Sequence, residues 1–577
     1  MKFRADIQGL RAFAVIIVLF FHLGLLKNGY LGVDIFFVIS GFLITGIVYK
    51  DFLENNYSIK EFYIRRIRRI LPLVLIVEVF ALILGYFFML PDDLENLGQS
   101  VVATNFFANN VLQFITTGNY WDVVNDYKPM LHTWSLGIEE QYYLLFPLIF
   151  LFISKKKNLL SYILVVLTIL SVLYYIFEGN QAFKFYMLPT RFFQISIGGL
   201  SALFIQKFKK NAVIADVSFV LVLILVFVNL NVKDEFLAIF SVLLTCSFII
   251  FNTTGSVINK ILTIKPIVFL GTISFSIYMW HQVIISFYRY IFSYLISPSA
   301  IVFLLLIIFI LSVLSYYFIE EFFRRSKNIS FKKVFSLVIF LFLITTGFSL
   351  FIYKQGGVVK DFKELSLTTD NAKRGVNSQY NDSVFRYDKA FGNDSKKKVL
   401  VIGDSYGRDW INLLLQSKYK DELNFSYIDK QDRVEDIKSR GLQADVIFIS
   451  YMTGITSTDF NKIISKNKLD SKVFIVGTKN FGTNNGVYYN KKRDENYCKQ
   501  RAKVEDLFLK INDEQRQMWG NKYINVLSFL IDKNNTVSVF TGSCTFISQD
   551  CRHLTKDGAI YLSDKIDLTK YLNITEQ

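Results

Sequence analysis

The 577-residue sequence predicts a polytopic α-helical membrane bundle followed by an extracytoplasmic α/β domain. Three observations predict it. Long apolar runs recur as far as residue 353. Lys and Arg crowd alternate gaps between those runs. Beyond residue 398 the pattern turns to short apolar strands alternating with helix-like stretches. Composition agrees: hydrophobic residues make up 52% and charged residues 19%, with a mean hydropathy of +0.35. Soluble and disordered chains of this length carry more charge. The formal net charge is +16, but the basic residues of the first half sit between apolar runs, as in membrane proteins. With no RNP or zinc-finger pattern, this argues against a nucleic-acid partner. Four Cys without a CxxC pair give no disulfide scaffold, and no metal site is expected.

A span takes about 20 residues. Spans are expected near 10–26, 32–49, 70–90, 134–153, 158–177, 189–206, 212–229, 237–252, 266–287, 300–320 and 334–353, eleven in all. The segment 95–120 carries Asn105, Asn109, Asn110 and Gln113 and reads as a loop with interfacial helices. If the N-terminus is cytoplasmic, the inside loops hold nineteen Lys and Arg and the outside loops five. The positive-inside rule then fixes the orientation. An odd number of spans puts everything after Tyr353 outside.

The predicted domains are 1–325 in the membrane, 326–395 as a linking helix (about 334–353) with a polar extracytoplasmic linker, and 396–577 as a soluble domain. In the last, apolar runs at Val399–Ile402, Val446–Ser450, Val473–Gly477 and Tyr523–Leu527 alternate with helix-like stretches such as 408–416 and 499–515. This is the pattern of a parallel sheet covered on both faces.

Ionisable groups inside spans are costly and mark function. Arg11 and His22 are eleven residues apart, about 20° past three full turns and roughly 16 Å along the axis, so they share a helix face. Arg11 is placed to hold a phosphate or carboxylate, and His22 to act as a general base. The bland alternative is a snorkelling Arg and a packed His. Arg65, Arg66, Arg68 and Arg69 crowd the cytoplasmic mouth of the third span. They suit a nucleotide phosphate, although a topology anchor is the commoner use of such a cluster. Thr133–Tyr143, with Glu139, Glu140 and Gln141, adds further intramembrane polar groups. So do Ser274–His281 and Tyr316–Glu320.

Six strings in order carry a resemblance. They are Arg11 with His22, Gly32–Ile44, the Arg cluster before Pro72, Trp134-Ser-Leu with Glu139-Glu-Gln, Tyr278-x-Trp-His281, and Glu320. Residues 1–325 resemble the membrane-bound acyltransferase family 3. The resemblance implies a ten-helix bundle, with the eleventh helix as the link, that takes an acyl group from cytoplasmic acyl-CoA. It implies His22 as the catalytic histidine, Arg11 as its companion, Arg65, Arg66, Arg68 and Arg69 as the coenzyme site, and Glu320 as a second functional carboxylate.

In the soluble half, Val399–Trp410 reads as a buried strand, a tight turn and a helix start, with Ser405 at the helix N-terminus. Unpaired N–H groups there stabilise an oxyanion. His553 is the only histidine of this half, and Asp550 precedes it by three residues, which gives a Ser–Asp–His order for a triad. No Gly-x-Ser-x-Gly elbow is present. Gly-Asp-Ser405 after a strand, together with Asp550-x-x-His553, resembles the SGNH hydrolase/transferase family over 396–577, whose fold is a flavodoxin-like three-layer α/β. The resemblance implies Ser405 as nucleophile, Asp550 and His553 as its partners, and a Gly and an Asn in the oxyanion hole beside the Ser405 amide. Asn480 and Gly454 are the best matches. Cys498, Cys544 and Cys551 allow three pairings. Cys544–Cys551 is favoured because it would pin the loop carrying Asp550 and His553, and Cys246 falls in a span.

Together the two resemblances imply a bacterial inner-membrane O-acetyltransferase. It would use acetyl-CoA and no metal to acylate an envelope polysaccharide outside the cell. Lipopolysaccharide O-antigen is favoured as acceptor, with peptidoglycan and capsule or exopolysaccharide open. The rival expectations are a membrane-tethered carbohydrate esterase or deacetylase, and a non-enzymatic transporter with a glycan-binding domain.

Overall fold

The computed structural model describes residues 4–54, 56–116, 123–153, 157–325, 329–371 and 376–572. The basic loop residues Lys155, Lys156 and Lys327 lie outside the described residues. The chain divides into two compact units that part near Tyr353.

The first unit is helical. Its elements are α1 (Ala5–His22), α2 (Leu31–Leu53), α3 (Ile59–Phe88), α4 (Pro91–Asn105), α5 (Asn109–Thr116), α6 (Thr133–Ile153), α7 (Lys157–Phe177), α8 (Gln181–Tyr186) and α9 (Leu188–Phe204). They continue with α10 (Ala212–Phe227), α11 (Asp234–Phe251), α12 (Val257–Leu262), α13 (Lys265–Thr272), α14 (Ser274–Ile291), α15 (Pro298–Ser315), α16 (Glu321–Arg325) and α17 (Phe331–Lys354). Among the described residues, eight helices are long and apolar enough to cross a membrane. The α13–α14 pair, bent by 64°, makes nine if it is one span. The expected spans at 134–153 and 212–229 correspond to α6 and to the shorter apolar helix α10. The segment 95–120 holds α4 and α5, short helices as expected. Asn109, Asn110 and Gln113 are buried there and hydrogen-bonded to Met130 O, Tyr186 O and the Asn109 side chain.

Glycine lets helices cross in backbone contact, as between α2 and α9. A Cβ on Gly41 would lie 1.8 Å from the Ile195 carbonyl, and one on Gly198 would lie 2.0 Å from that of Val38. Small residues let two backbones touch, which is how helices associate where lipid gives no hydrophobic drive. The same pair, α2 and α9, carries a buried ion pair between Arg191 and Asp34 at 3.1 Å.

The second unit is α/β. Its strands are β1 (Lys397–Gly403), β2 (Leu423–Ile428), β3 (Val446–Ser450), β4 (Val473–Val476), β5 (Arg501–Lys503), β6 (Tyr523–Ile524) and β7 (Thr536–Ser538). Five form a parallel sheet in the order β2-β1-β3-β4-β6, and β5 and β7 form an antiparallel ribbon. Its helices include α18 (Val376–Asp382), α19 (Ser405–Gln416), α20 (Val434–Gln443), α21 (Ser457–Ile463), α22 (Gly486–Tyr489), α23 (Asp506–Trp519) and α24 (Lys556–Ser563). Val399 and Val401 face one core, while Leu400 and Ile402 face the other. That two-sided burial explains the unbroken apolar run. The strand order reverses between β1 and β3, the switch point beside which α/β sheets place their sites. The polar stretch 354–395 contributes Val358, Phe362, Leu367 and Val384 to this core.

Candidate functional site

At the C-terminal end of β1, Gly403 is held so close to β3 that a Cβ would lie 1.9 Å from the Ser450 carbonyl. Asp404 then caps α19. One carboxylate oxygen accepts from the Tyr406 amide at 2.8 Å and the other from the Met452 amide at 3.0 Å. Ser405 is thereby the first residue of the helix, where backbone N–H groups lack intrahelical acceptors.

His553 comes to it from the far end of the chain. The Ser405 Oγ and His553 Nε2 are 2.7 Å apart, and the His553 Nδ1 and an Asp550 oxygen 2.5 Å apart. The other Asp550 oxygen accepts from the amides of Arg552 and His553 at 3.0 and 2.7 Å. Burial works to raise the Asp550 carboxyl, but the His553 charge and these hydrogen bonds outweigh it and hold it well below the usual carboxylate range. Burial likewise opposes a charge on His553, yet Asp550 wins and raises the imidazole above its ordinary value. Asp550 keeps 43% of its side chain exposed, so solvent screens part of this coupling.

Four residues that the sequence reading did not single out support the loop. Asp409, 1% exposed, accepts from the Leu554 amide at 3.1 Å and from Asn381 at 2.7 Å, and pairs with Lys479 at 2.8 Å. Arg408 donates to Asn381 at 2.6 Å. The available signal was a carboxylate at Asp409 directly before the apolar pair Trp410-Ile411, on the buried face of α19.

Two expected oxyanion donors are otherwise engaged. The Asn480 amide donates to Gly482 O and to Glu505, and its oxygen accepts the Gly482 and Glu505 amides. The Gly454 amide donates to Tyr451 O. The Ser405 amide, at the helix start, is the expected donor whose position suits the role. The favoured disulfide is also corrected. Cys544 joins Cys498, not Cys551, with Cα atoms 5.1 Å apart. Antiparallel pairing of β5 with β7 brings the residues flanking them together. Cys551 is buried and reduced, its thiol 3.4 Å from the Asn485 side-chain oxygen.

In the helical unit a cavity of about 130 Å³ is lined by Arg11, Arg66, Arg69, Ser40, Glu139 and Tyr143, among others. Glu139 accepts from Ser40 at 2.8 Å and from Tyr143 at 3.2 Å, and the Arg66 guanidinium lies 4.5 Å from the Tyr143 ring centre. The arginine cluster therefore divides. Arg66 and Arg69, one turn apart, reach the cavity. Arg65 is exposed and pairs with Asp51 at 3.3 Å, and Arg68 donates to Ile329 O. Arg11 lines the cavity and donates to Gln8 at 3.3 Å. Glu320 closes a π-helical turn, Tyr316–Glu320, and accepts a hydrogen bond from Ser276. His22 is 7% exposed and lies outside the cavity lining. It packs against His281 with ring centres 5.1 Å apart. Among the described residues, no cluster of three His, Cys, Asp or Glu could hold a metal ion.

The profile of a single acyltransferase domain matches residues 4–320, more than half of the chain. The chain belongs to the acyltransferase 3 family. Curated relatives agree. The peptidoglycan O-acetyltransferase OatA of Listeria monocytogenes is 32% identical over 314 residues, 49% of this chain and 50% of that protein. The O-acetyltransferase OatA of Staphylococcus aureus is 30% identical over 352 residues, 56% and 58% of the two chains. The chain thus spans about half the length of the curated relatives it matches. No solved structure matches. Arg11, His22, the arginine cluster and Glu320 lie within the acyltransferase 3 match, while Ser405, Asp550 and His553 lie beyond it.

Proposed function

We propose that this protein is a membrane O-acetyltransferase that moves an acetyl group from cytoplasmic acetyl-CoA to a hydroxyl of an extracytoplasmic bacterial polysaccharide. The carrying observation is a Ser405–His553–Asp550 hydrogen-bonded line, at 2.7 and 2.5 Å, on the same chain as an acyltransferase 3 domain. On this reading residues 1–325 are the donor domain, 326–395 the link and 396–577 an SGNH domain. The protein sits in the inner membrane with its N-terminus inside.

The donor fits the cavity by charge. Arg11, Arg66 and Arg69 against Glu139 leave it net positive, which suits a phosphorylated or thioester-bearing anion. His22 serves as the general base of the first transfer. In the second unit His553 takes the Ser405 proton as Ser405 Oγ attacks the acyl carbonyl, and Asp550 orients the imidazole. The Ser405 N–H stabilises the oxyanion, and His553 returns the proton to the leaving group. The acceptor hydroxyl then repeats the cycle and carries the acetyl away. The name of the Listeria relative moves the favoured acceptor from O-antigen to peptidoglycan.

The test compares O-acetyl content, by NMR, of envelope polysaccharide from cells making wild type, His22→Ala and Ser405→Ala at equal membrane levels. Loss in both variants is expected. Full acetylation in either variant rejects the role given to that residue. A rise in Ser405→Ala means the outer domain removes acetyl groups instead.

A further inference from the structure

Asn381 and Asp382 end α18, within the stretch that reads as a linker in sequence. Asn381 is 5% exposed and knots onto the helix that Ser405 starts. Its amide donates to Asp409 at 2.7 Å and to the Ser405 carbonyl at 3.2 Å, and its oxygen accepts from Arg408 at 2.6 Å. Arg408 stands three residues after Ser405, on the same side of α19. Its guanidinium also donates to the Tyr427 hydroxyl at 3.3 Å and lies over the Phe385 ring, 4.8 Å from the ring centre. The linker residues Asn381 and Asp382 thereby share one cleft with Ser405, Arg408, Asp550 and His553.

Two side chains at this cleft are placed to meet a ligand. Asp382 opens the 3₁₀ turn Ser383–Tyr387, yet among the described residues its carboxylate makes no cap hydrogen bond to that turn. Its side chain is 55% exposed and stands 3.6 Å from Arg408, longer than a hydrogen bond. Phe385, in the same turn, is 43% exposed, and its ring also packs against Tyr427 with centres 5.7 Å apart. An exposed carboxylate held this loosely can accept two neighbouring hydroxyls at once. An exposed aromatic face beside it gives the apolar C–H face of a pyranose a surface to pack on. Asp382 and Asp550 stand in the cleft against Arg408, which disfavours an anionic sugar.

We propose that Asp382 and Phe385, both set against Arg408, form the acceptor subsite of the second unit, and that it takes a neutral glycan. The proposal rests on the reading of Ser405 as the residue that delivers the acetyl group. Asp382 accepts hydroxyls of the sugar that meets Ser405. Phe385, one side chain further out, carries the neighbouring sugar. Asn381 and Tyr427 hold Arg408 in place between them. The stretch before residue 396 is then part of the acceptor site as well as a tether.

The test uses the purified full chain in detergent, carrying Ser405→Ala so that nothing turns over. Triacetylchitotriose is titrated in, and Kd is read by saturation-transfer NMR. Binding is expected, weakened about tenfold or more by Asp382→Ala, which removes hydrogen bonds to a charged group. Phe385→Ala is expected to weaken it about threefold or more, and Phe385→Trp to keep it, as stacking requires. Trigalacturonate is expected to bind more weakly than triacetylchitotriose. Thermal unfolding at the parent temperature shows that each variant folds. No binding of triacetylchitotriose, or tighter binding of trigalacturonate, overturns the neutral-glycan subsite. An unchanged Kd in Asp382→Ala or Phe385→Ala overturns the role given to that residue. A loss in Phe385→Trp as large as in Phe385→Ala overturns the stacking. Aryl acetate turnover with and without Ser405→Ala, measured alongside, separates the two readings. If turnover is lost while both Kd values stay unchanged, only the subsite fails; if turnover is equal, the Ser405 reading fails.

Discussion

At the scale of single residues, the Ser405–His553–Asp550 line makes a pH prediction. On the proposed function, catalysis needs a neutral His553; Asp550 raises that imidazole, so the acid limb of Ser405-dependent turnover is expected above the ordinary 6.5. Asp550→Asn is expected to lower the rate by about 10²–10⁴-fold and to move that limb down. A pH–rate profile with an aryl acetate reads both effects. The same shifts carry stability. The depressed Asp550 contributes above the unfolded carboxylate value near 3.8, and its contribution is lost as pH falls through the folded value. The raised His553 contributes fully below 6.5 and loses that contribution as pH rises through its folded value. The pair therefore helps most between about pH 4 and 6.5. Asp409 makes a larger prediction. Asp409→Ala strands Lys479, 5% exposed, without its partner, at a cost of about 3–5 kcal/mol, and replacing both residues with apolar ones recovers most of it. Thermal unfolding of the single and double variants checks this.

At the scale of elements, the antiparallel β5–β7 ribbon decides the covalent link. Cys498 and Cys544 flank its strands and close a loop of 46 residues in sequence separation. Such a cross-link contributes about 2–4 kcal/mol. Thiol titration of the denatured, unreduced protein is expected to find two thiols, Cys246 and Cys551. Cys498→Ser is expected to raise the number to three. A Cys544–Cys551 bond would lower it to one. The sequence reading leaned toward that bond because it would pin the loop carrying Asp550 and His553, where ribbon register was the deciding fact. The same limit hid β2, whose Leu423–Ile428 run is broken by Asn424 and Ser426. It also stretched one helix over 499–515, where β5 precedes α23. Short strands at a sheet edge carry few apolar residues, so local pattern underreports them.

At the scale of the whole molecule, the two units answer to different solvents. Apolar faces of α7, α15 and α17 remain exposed on the isolated chain, with Leu170, Leu306 and Leu343 each more than half exposed. Lipid is the medium that accepts such faces. In the second unit the large apolar side chains turn inward to two sheet-facing cores. Protease added to intact cells stripped of their outer envelope is expected to remove a tag after residue 577 and to spare one before residue 1. The opposite pattern overturns the orientation drawn from the basic loops.

The sequence by itself determined where the helices lie, because a membrane span is a local run of about 20 apolar residues. It also determined that residues 396–577 are α/β and that His553 is their only histidine, the one imidazole the sequence offers to pair with Ser405. Tertiary structure alone decided which arginines of one cluster face the cavity and which cysteine meets Cys544. It alone seated Asp409 beneath the His553 loop and packed His22 against His281. Those outcomes rest on long-range packing and register, where residues far apart in the chain are placed by the helices and strands that carry them. No local pattern records that placement.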